Sequence, residues 1–407
     1  NIKCMNCRGE NLKKFIDLGQ QPNGNHFPTK ADKDSELKFP FSMLFCEDCG
    51  QVQIEEFPSV EFMFSNHPYV TGLNMPIVDH FKILVERTIF KYELSKNDLV
   101  IDIGSNDGTL LSIFKEKGLR VLGIDPGSNT CKLSRDKGIT VFETFWSYES
   151  SKSIKKLNIK PKLITATSVF YHIEDMHDFI KGLANLMDEE SIFVTQCVYM
   201  KDVLEKYQFD HFYHEHTMMH SLLPLKKIFN GYGFKLLDVD FYNVHGGSFV
   251  LSIAKESSKY QIQPNIKKAI QSEKDFGMQK LSTYLNFTKK VDKNKKDLID
   301  VLTSLKEKNK TIYALGAPLK GSTLLNYYSI GPELVDLATE VNQFKIDKLT
   351  PGTHIPIVNE KLIDKQPDYY LLLAWNYLDF FCSKYSKYLE NGGKFIVPHP
   401  EVKIISK

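Results

Sequence analysis

The 407-residue sequence predicts an α/β protein built on parallel sheets, and three observations carry that reading. Two Cys-x-x-Cys pairs, Cys4/Cys7 and Cys46/Cys49, stand in a Pro-punctuated opening stretch of short elements. From residue 98, short apolar runs alternate with amphipathic stretches, the pattern of βαβ units. A second run of that kind opens at Thr311. These landmarks predict three domains, at residues 1–65, 66–254 and 255–407.

Composition narrows the class. Hydrophobic residues make up 42% of the chain and charged residues 25%, which suits a soluble globular protein with ample core. A formal net charge of +2 excludes a dedicated nucleic-acid binder, which needs a basic face. No run approaches the ~20 apolar residues of a membrane helix. The opening residues Asn1-Ile2-Lys3-Cys4 hold no apolar signal core. The expectation is a cytoplasmic protein with no membrane or nucleic-acid partner, preferring a monomer.

The elements follow in order. A Cys-x-x-Cys turn brings two thiolates onto one ion, and two such turns complete a tetrahedral shell. Cys4, Cys7, Cys46 and Cys49 are therefore read as zinc ligands. A closed Cys4 shell leaves no place for water, so the zinc is structural. It supplements a core too small for ~65 residues to hold alone.

Residues 66–95 read as a helix, with Pro76 near its start. Strands are expected at 99–103, 120–124, 163–166 and 191–195. Residues 233–254 read as two strands joined by a turn at His245-Gly246-Gly247. Dense Lys and Asp at helical spacing make 255–310 one or two connecting helices. Thr311 to Gly316 then begins the last α/β unit.

The first strand of the central region runs into Asp102-Ile103-Gly104-Ser105-Asn106-Asp107-Gly108, and the second ends in Asp125. Glycines let a backbone approach a ligand closely, and an acid at the second strand tip suits two ribose hydroxyls. The form D-x-G-x-x-x-G resembles the S-adenosylmethionine loop of class I methyltransferases, whose central fold is Rossmann-like. That likeness assigns Asp102, Gly104, Asn106, Gly108 and Asp125 to the cofactor. Phe145 and Trp146, after the third strand, are expected to flank the adenine. Ser168 and His172 follow the fourth strand, at the carboxyl end where ligands lie in open α/β sheets.

The stretch from Tyr207 to His216 is the densest polar-aromatic segment. It reads as a surface run, as a metal site on His214 and His216, or as acid–base machinery. A His beside a Glu can take a proton from carbon near neutral pH. Removing a proton α to a ketone also needs a donor for the enolate oxygen. Tyr213, His172 and Tyr69 are candidates.

Taken together these residues resemble the three-domain sugar C-methyltransferases, bacterial enzymes that methylate a ring carbon of a nucleotide-linked 4-ketosugar. The likeness spans essentially the whole chain. It includes the four cysteines, and Pro22, Asn25 and Phe27 as P-x-x-N-x-F. It continues through Pro68-Tyr69-Val70-Thr71-Gly72, the glycine loop, His172 and Tyr213-His214-Glu215-His216. His245 to Ser248, Gly316 to Gly321 and Pro351 to Pro356 complete it. Many relatives carry a serine-rich stretch where this chain has Val70 to Leu73, which bears on the sugar contacts of that loop.

The resemblance implies His216 as base, assisted by Glu215, with Tyr69, His172 and Tyr213 lining the sugar. It implies a Rossmann-like C-terminal domain, with the nucleotide-sugar held between it and the central one. Lys320 suits a pyrophosphate there, and Asn342 and His245 would meet the nucleotide or sugar. The expected activity is S-adenosylmethionine-dependent C-methylation next to the ketone of a nucleotide-diphosphate 4-keto-6-deoxysugar, yielding S-adenosylhomocysteine. An O-methyltransferase, or a non-catalytic sugar-nucleotide-binding protein, would use the same scaffold.

Overall fold

The computed structural model describes residues 2–59, 63 and 69–407. Three sheets organise the described residues. The first begins with β1 (Leu12–Pro22), β2 (Lys38–Cys46) and β3 (Val52–Ile54), paired antiparallel. One Cys-x-x-Cys turn precedes β1 and the other starts at the last residue of β2. Pairing of β1 with β2 therefore brings the two turns together, with Leu12 opposite Cys46.

The central sheet follows as β4 (Leu99–Ile103), β5 (Arg120–Asp125), β6 (Val141–Glu143), β7 (Pro161–Thr167) and β8 (Ile192–Val198). Chain order then gives β9 (Met218–Met219), β10 (Phe234–Tyr242) and β11 (Ser248–Lys255). The order β10-β11-β8-β7-β4-β5-β6 makes a doubly wound sheet. Its strands β4 to β8 are parallel, and the β10–β11 hairpin closes one edge antiparallel. Strand order reverses beside β4, the switch point where such sheets bind ligands. β9 leaves this sheet altogether. It pairs with β3, so a piece of the central chain completes the first sheet.

The third sheet comprises β12 (Ile312–Leu315), β13 (Leu337–Glu340), β14 (Ile357–Asn359), β15 (Tyr369–Leu372), β16 (Lys394–Val397) and β17 (Lys403–Ile405). Its order, β14-β13-β12-β15-β16-β17, is parallel except for β17. This is the expected Rossmann-like unit.

The Lys- and Asp-rich region forms two helices, Pro264–Phe276 and Leu281–Glu307. The second buries Tyr284, Phe287, Val291, Asn294, Leu298, Leu302 and Leu305, a helical stripe three or four residues apart. Its first turns stack Tyr284 on Phe45 of β2, with ring centroids 4.4 Å apart. Farther along, Asn294 accepts a hydrogen bond from the Tyr328 hydroxyl of the third unit at 2.6 Å. One helix thus packs on both flanking units.

The helix expected from residue 66 starts later, at Met75, and runs to Lys91. Asn74 caps it and Pro76 occupies its first turn. The expected boundary between residues 65 and 66 and the motif residue Pro68 lie outside the described residues. Among the described residues no helix is long and apolar enough to cross a membrane.

His211, His216, His220 and His399 are enclosed and His245 lines a cavity, and desolvation drives each of these five rings below its ordinary value. Values of about 4 hold for His220, His245 and His399, against about 6.5 in an unfolded chain. Below pH 6.5 the unfolded chain therefore binds more protons, and stability falls as pH drops toward 4. Asp102 and Glu273 act oppositely, because burial raises their carboxyls to about 7, but the histidines outnumber them. A thermal-unfolding series from pH 7.5 to 4.5 should show Tm declining through pH 6.5–5. A flat Tm over that range would refute the account.

Candidate functional site

The four cysteine sulfurs lie within 4.8 Å of one another. Cys4 and Cys49 are 3.5 Å apart, and Cys7 and Cys46 3.6 Å. Zinc–sulfur bonds of ~2.3 Å in a tetrahedron put sulfurs about 3.8 Å apart, so the set fits zinc. In the shell the Cys49 thiol donates to Cys4 and holds it below its ordinary value, while Cys46, through burial, and Cys49, through its bond to Cys4, are pushed up; a metal ion would ionise the set together. His177 fastens this knuckle to the central unit. Its Nε2 donates to the Asn6 carbonyl at 2.8 Å, while Nδ1 accepts from Tyr232.

At the central switch point the loop after β4 turns on Gly104 (φ 70°) and Gly108 (φ 75°). A side chain at Gly104 would sit 2.3 Å from a Val169 methyl, so only glycine keeps this cradle. Asp125 closes it from β5. One carboxylate oxygen accepts the Asn106 backbone N–H at 2.9 Å, and the other accepts Gly127 N–H and the Thr130 hydroxyl.

Asp102 is buried, with the Thr165 hydroxyl 2.6 Å away. Burial raises its carboxyl to about 7. A cation arriving there would restore its charge, which fits the ammonium of S-adenosylmethionine. Asn106 (φ 50°) adds a clasp. Its side-chain amide donates to the Tyr69 carbonyl at 3.1 Å and accepts from Thr71 N–H at 2.9 Å. Its side chain is therefore committed to the Tyr69–Thr71 segment, whereas the sequence had assigned it to the cofactor.

A cavity of ≈1860 Å³ opens over this loop. A single-ligand pocket usually holds ~300–1,000 Å³, so this one has room for a cofactor and a second molecule. Its wall includes residues of all three units, among them Asn25, Asp125, His216 and Asn342. Tyr69, Asp102, Gly104, Asn106, Phe145, Trp146, Ser168, His172, Tyr213, Glu215, His245 and Lys320 line it too. Sequence-assigned residues from distant stretches are thus gathered around one space.

The polar segment is buried; it is not a surface run. His216 donates from Nδ1 to the His211 carbonyl at 2.7 Å. That fixes the neutral tautomer with its lone pair on Nε2. Burial brings this ring down to about 3. Tyr213 stacks 3.9 Å from it, and Tyr171 and His172 lie at 4.6 and 5.1 Å. Burial raises the Tyr213 hydroxyl well above its ordinary value; Tyr69 is 41% exposed, and partial desolvation at the cavity wall raises its hydroxyl to about 12, so both stay protonated as donors. Glu215 accepts a short hydrogen bond from the Asn25 amide.

Two side chains of the polar segment and its surroundings have partners in other units. His214 does not join His216 in a metal site. Its Nε2 donates to the Pro40 carbonyl at 3.2 Å and its ring packs on Phe41, toward the first sheet. Among the described residues only the four cysteines form a metal-holding group. Lys320 lines the cavity beside a protein partner. Its buried ammonium lies 3.7 Å from the Asp210 carboxylate and 4.9 Å from the Trp375 ring centroid. The helix Leu319–Tyr328 packs onto the buried segment and delivers it there.

Trp146 is anchored, its indole N–H donating to the Phe179 carbonyl at 3.1 Å. Gly108 shapes the turn without lining the cavity. Ser168 and His245 hold left-handed backbone (φ 57° and 54°) at the rim, local strain of the kind that collects at working sites. Tyr171 and Asn25 carried no assigned role in the sequence. Tyr171 stood one position before His172, and Asn25 inside P-x-x-N-x-F; neither is marked by spacing alone.

Models of known families match three stretches: a zinc binding domain at residues 4–64, a methyltransferase domain at 83–239, and a C-methyltransferase C-terminal domain at 243–400. Among curated proteins, C-methyltransferase NovU of Streptomyces niveus is 30% identical over 406 residues, 99% of this chain and 97% of that protein. Among solved structures, magnesium protoporphyrin IX methyltransferase of Synechocystis PCC 6803 with bound SAH shares 17% identity. That match covers 44% of this chain and 83% of the other, with a TM-score of 0.35. A SAM-dependent methyltransferase of Anabaena variabilis ATCC 29413 shares 14% identity over 42% of this chain and 83% of that one, with a TM-score of 0.34.

Two substitutions test the geometry. Cys46→Ser should strip most zinc from the purified chain, read by elemental analysis, and lower Tm; retained stoichiometric zinc would refute the four-sulfur site. Asn106→Gly keeps the backbone turn but deletes the clasp. It should loosen the Tyr69–Thr71 segment, which lines the cavity, and so weaken S-adenosylmethionine binding in calorimetric titration. Unchanged affinity would mean that the Tyr69–Thr71 segment is held otherwise.

Proposed function

This chain belongs to the C-methyltransferase family that includes NovU, enzymes that use S-adenosylmethionine and carry a zinc-binding N-terminal domain, and we propose that its substrate is a nucleotide-linked 4-keto-6-deoxysugar methylated on the carbon next to the ketone. One observation carries the reading. A neutral His216, its tautomer fixed by the His211 carbonyl, lines the same cavity as the glycine loop and Asp125.

His216 Nε2 takes the proton α to the ketone, and the C–H electron pair passes into the enolate. The ring is a weak base in the empty site, where burial favours its neutral form. Negative charge growing on the enolate oxygen favours the imidazolium as transfer proceeds. Tyr213 and Tyr69, protonated across the physiological range, donate to that oxygen. His172 borders the sugar, and Glu215 is fixed at the cavity wall by Asn25.

Gly104, Asp125 and Asp102 hold the S-adenosylmethionine, and Phe145 and Trp146 border its adenine. When bound, it supplies an electrophilic methyl group. The protein's remaining task is to seat the carbon nucleophile at near-attack distance, which the shared cavity serves. His245 and Asn342 lie on the same wall and meet the nucleotide-sugar.

His216→Gln keeps size and hydrogen bonding but lacks the base. It should lower kcat at least ~100-fold, in the range of lost general-base catalysis, and leave S-adenosylmethionine affinity unchanged. The parent enzyme with S-adenosylhomocysteine should exchange deuterium from solvent into the α carbon of the ketosugar, read by NMR, and the variant should not. Exchange at the parent rate in the variant would place the base elsewhere. Methyl transfer without exchange competence would favour an oxygen acceptor.

A further inference from the structure

The zinc-bearing unit reaches the cavity at Ser59 and through the loop from Pro22 to Glu36. Its tip is ordered locally: Asn25 N–H donates to the Asn23 side chain at 3.0 Å, and His26 N–H to the Asn23 carbonyl at 3.0 Å. Asn25 points its amide at the Glu215 carboxylate. The rest of the loop is gripped by the third unit. Pro28 O accepts from Leu349 N–H at 2.8 Å, and the Lys345 ammonium lies 5.1 Å from the Phe27 ring centroid.

Glu36 completes the grip. Its carboxylate is nearly enclosed, at 3% side-chain exposure. It accepts from Gly352 N–H at 2.9 and 3.0 Å and meets His354 Nε2 at 2.9 Å. Gly352 and His354 both hold left-handed backbone, at φ 72° and 60°. The P-G-T-H-I-P turn is thus shaped around a carboxylate more than 300 residues away in sequence.

We propose that Asn25 is a positioning residue for the reaction, holding Glu215 at the cavity wall, and that the Glu36 clamp on the 351–356 turn sets where Asn25 stands. A hydrogen bond to a carboxylate fixes the direction in which it points. Tyr171, Tyr213 and His214 all sense the Glu215 charge, so its placement bears on the donors around His216. The inference rests on the proposed substrate for its kinetic arm only.

The test uses the full zinc-loaded chain. Asn25→Asp replaces the amide donor with a second carboxylate. Without substrate, its Tm relative to the parent should fall as pH rises from 5 to 8, because two adjacent carboxylates then ionise together. With substrate, kcat should drop about tenfold or more, the order of one lost positioning hydrogen bond to a charged group. The acid limb of its pH profile should move upward, while S-adenosylmethionine affinity and zinc content hold.

Glu36→Gln, 11 positions away along the chain, should lower kcat in the same direction with zinc content intact, and Glu36→Asp should restore part of it. A Tm difference that does not change with pH would overturn the Asn25–Glu215 contact. Parent-like kcat and pH profile in both Asn25→Asp and Glu36→Gln would overturn the positioning role. A parent inactive on every nucleotide-ketosugar would refute the substrate reading instead, and the Tm arm would still decide the contact.

Discussion

The structure depends on keeping a polar, aromatic chain segment dry. Residues from Phe209 to His216 run through the interior, and their polar groups must find partners there or destabilise the fold. Each of the three units answers part of that demand. The third unit brings Trp375, whose indole N–H donates to Asp210 at 2.8 Å, and Thr323, whose hydroxyl donates to the Phe212 carbonyl at 3.1 Å. The first sheet offers the Pro40 carbonyl to His214, and its loop offers Asn25 to Glu215. Remove any one unit and a buried group is stranded.

That dependence explains the chemistry of the site. Imidazoles enclosed this way stay neutral, and phenols enclosed this way stay protonated. A site with a neutral nitrogen base and weakly acidic hydroxyl donors is suited to moving a proton off carbon while cradling an oxyanion. The Asp210–Lys320 pair shows the other side of the same constraint. A buried carboxylate needs a cation, and the lysine that sequence logic offers to a phosphate stands beside it.

Much of the fold is legible in the residues. The strand at 99–103 and the 233–254 hairpin follow from apolar runs and a His-Gly-Gly turn, because period and punctuation are local signals. The cysteine pairs are legible because metal geometry demands them. The helix occupies only part of the 66–95 window, because Asn74 and Pro76 mark its start more sharply than apolar spacing does. Within the site, the glycine loop and Asp125 announce themselves by spacing. Asn106 does not, because its side chain serves a segment over 30 residues earlier. The fates of Lys320 and His214 were equally hidden. Each is decided by a partner from another unit, which no local pattern encodes.

The short strand β9 has a further consequence. Val52 pairs with Met219, Gln53 with Met218, and Ile54 N–H donates to the Thr217 carbonyl at 2.9 Å. The sheet that carries the metal knuckles is therefore finished by residues some 160 positions downstream. Cutting the gene near residue 60 would not yield an exchangeable cassette. A graft taken from a relative would arrive missing one strand, and it would dock only where the recipient's 217–219 backbone matched its open edge.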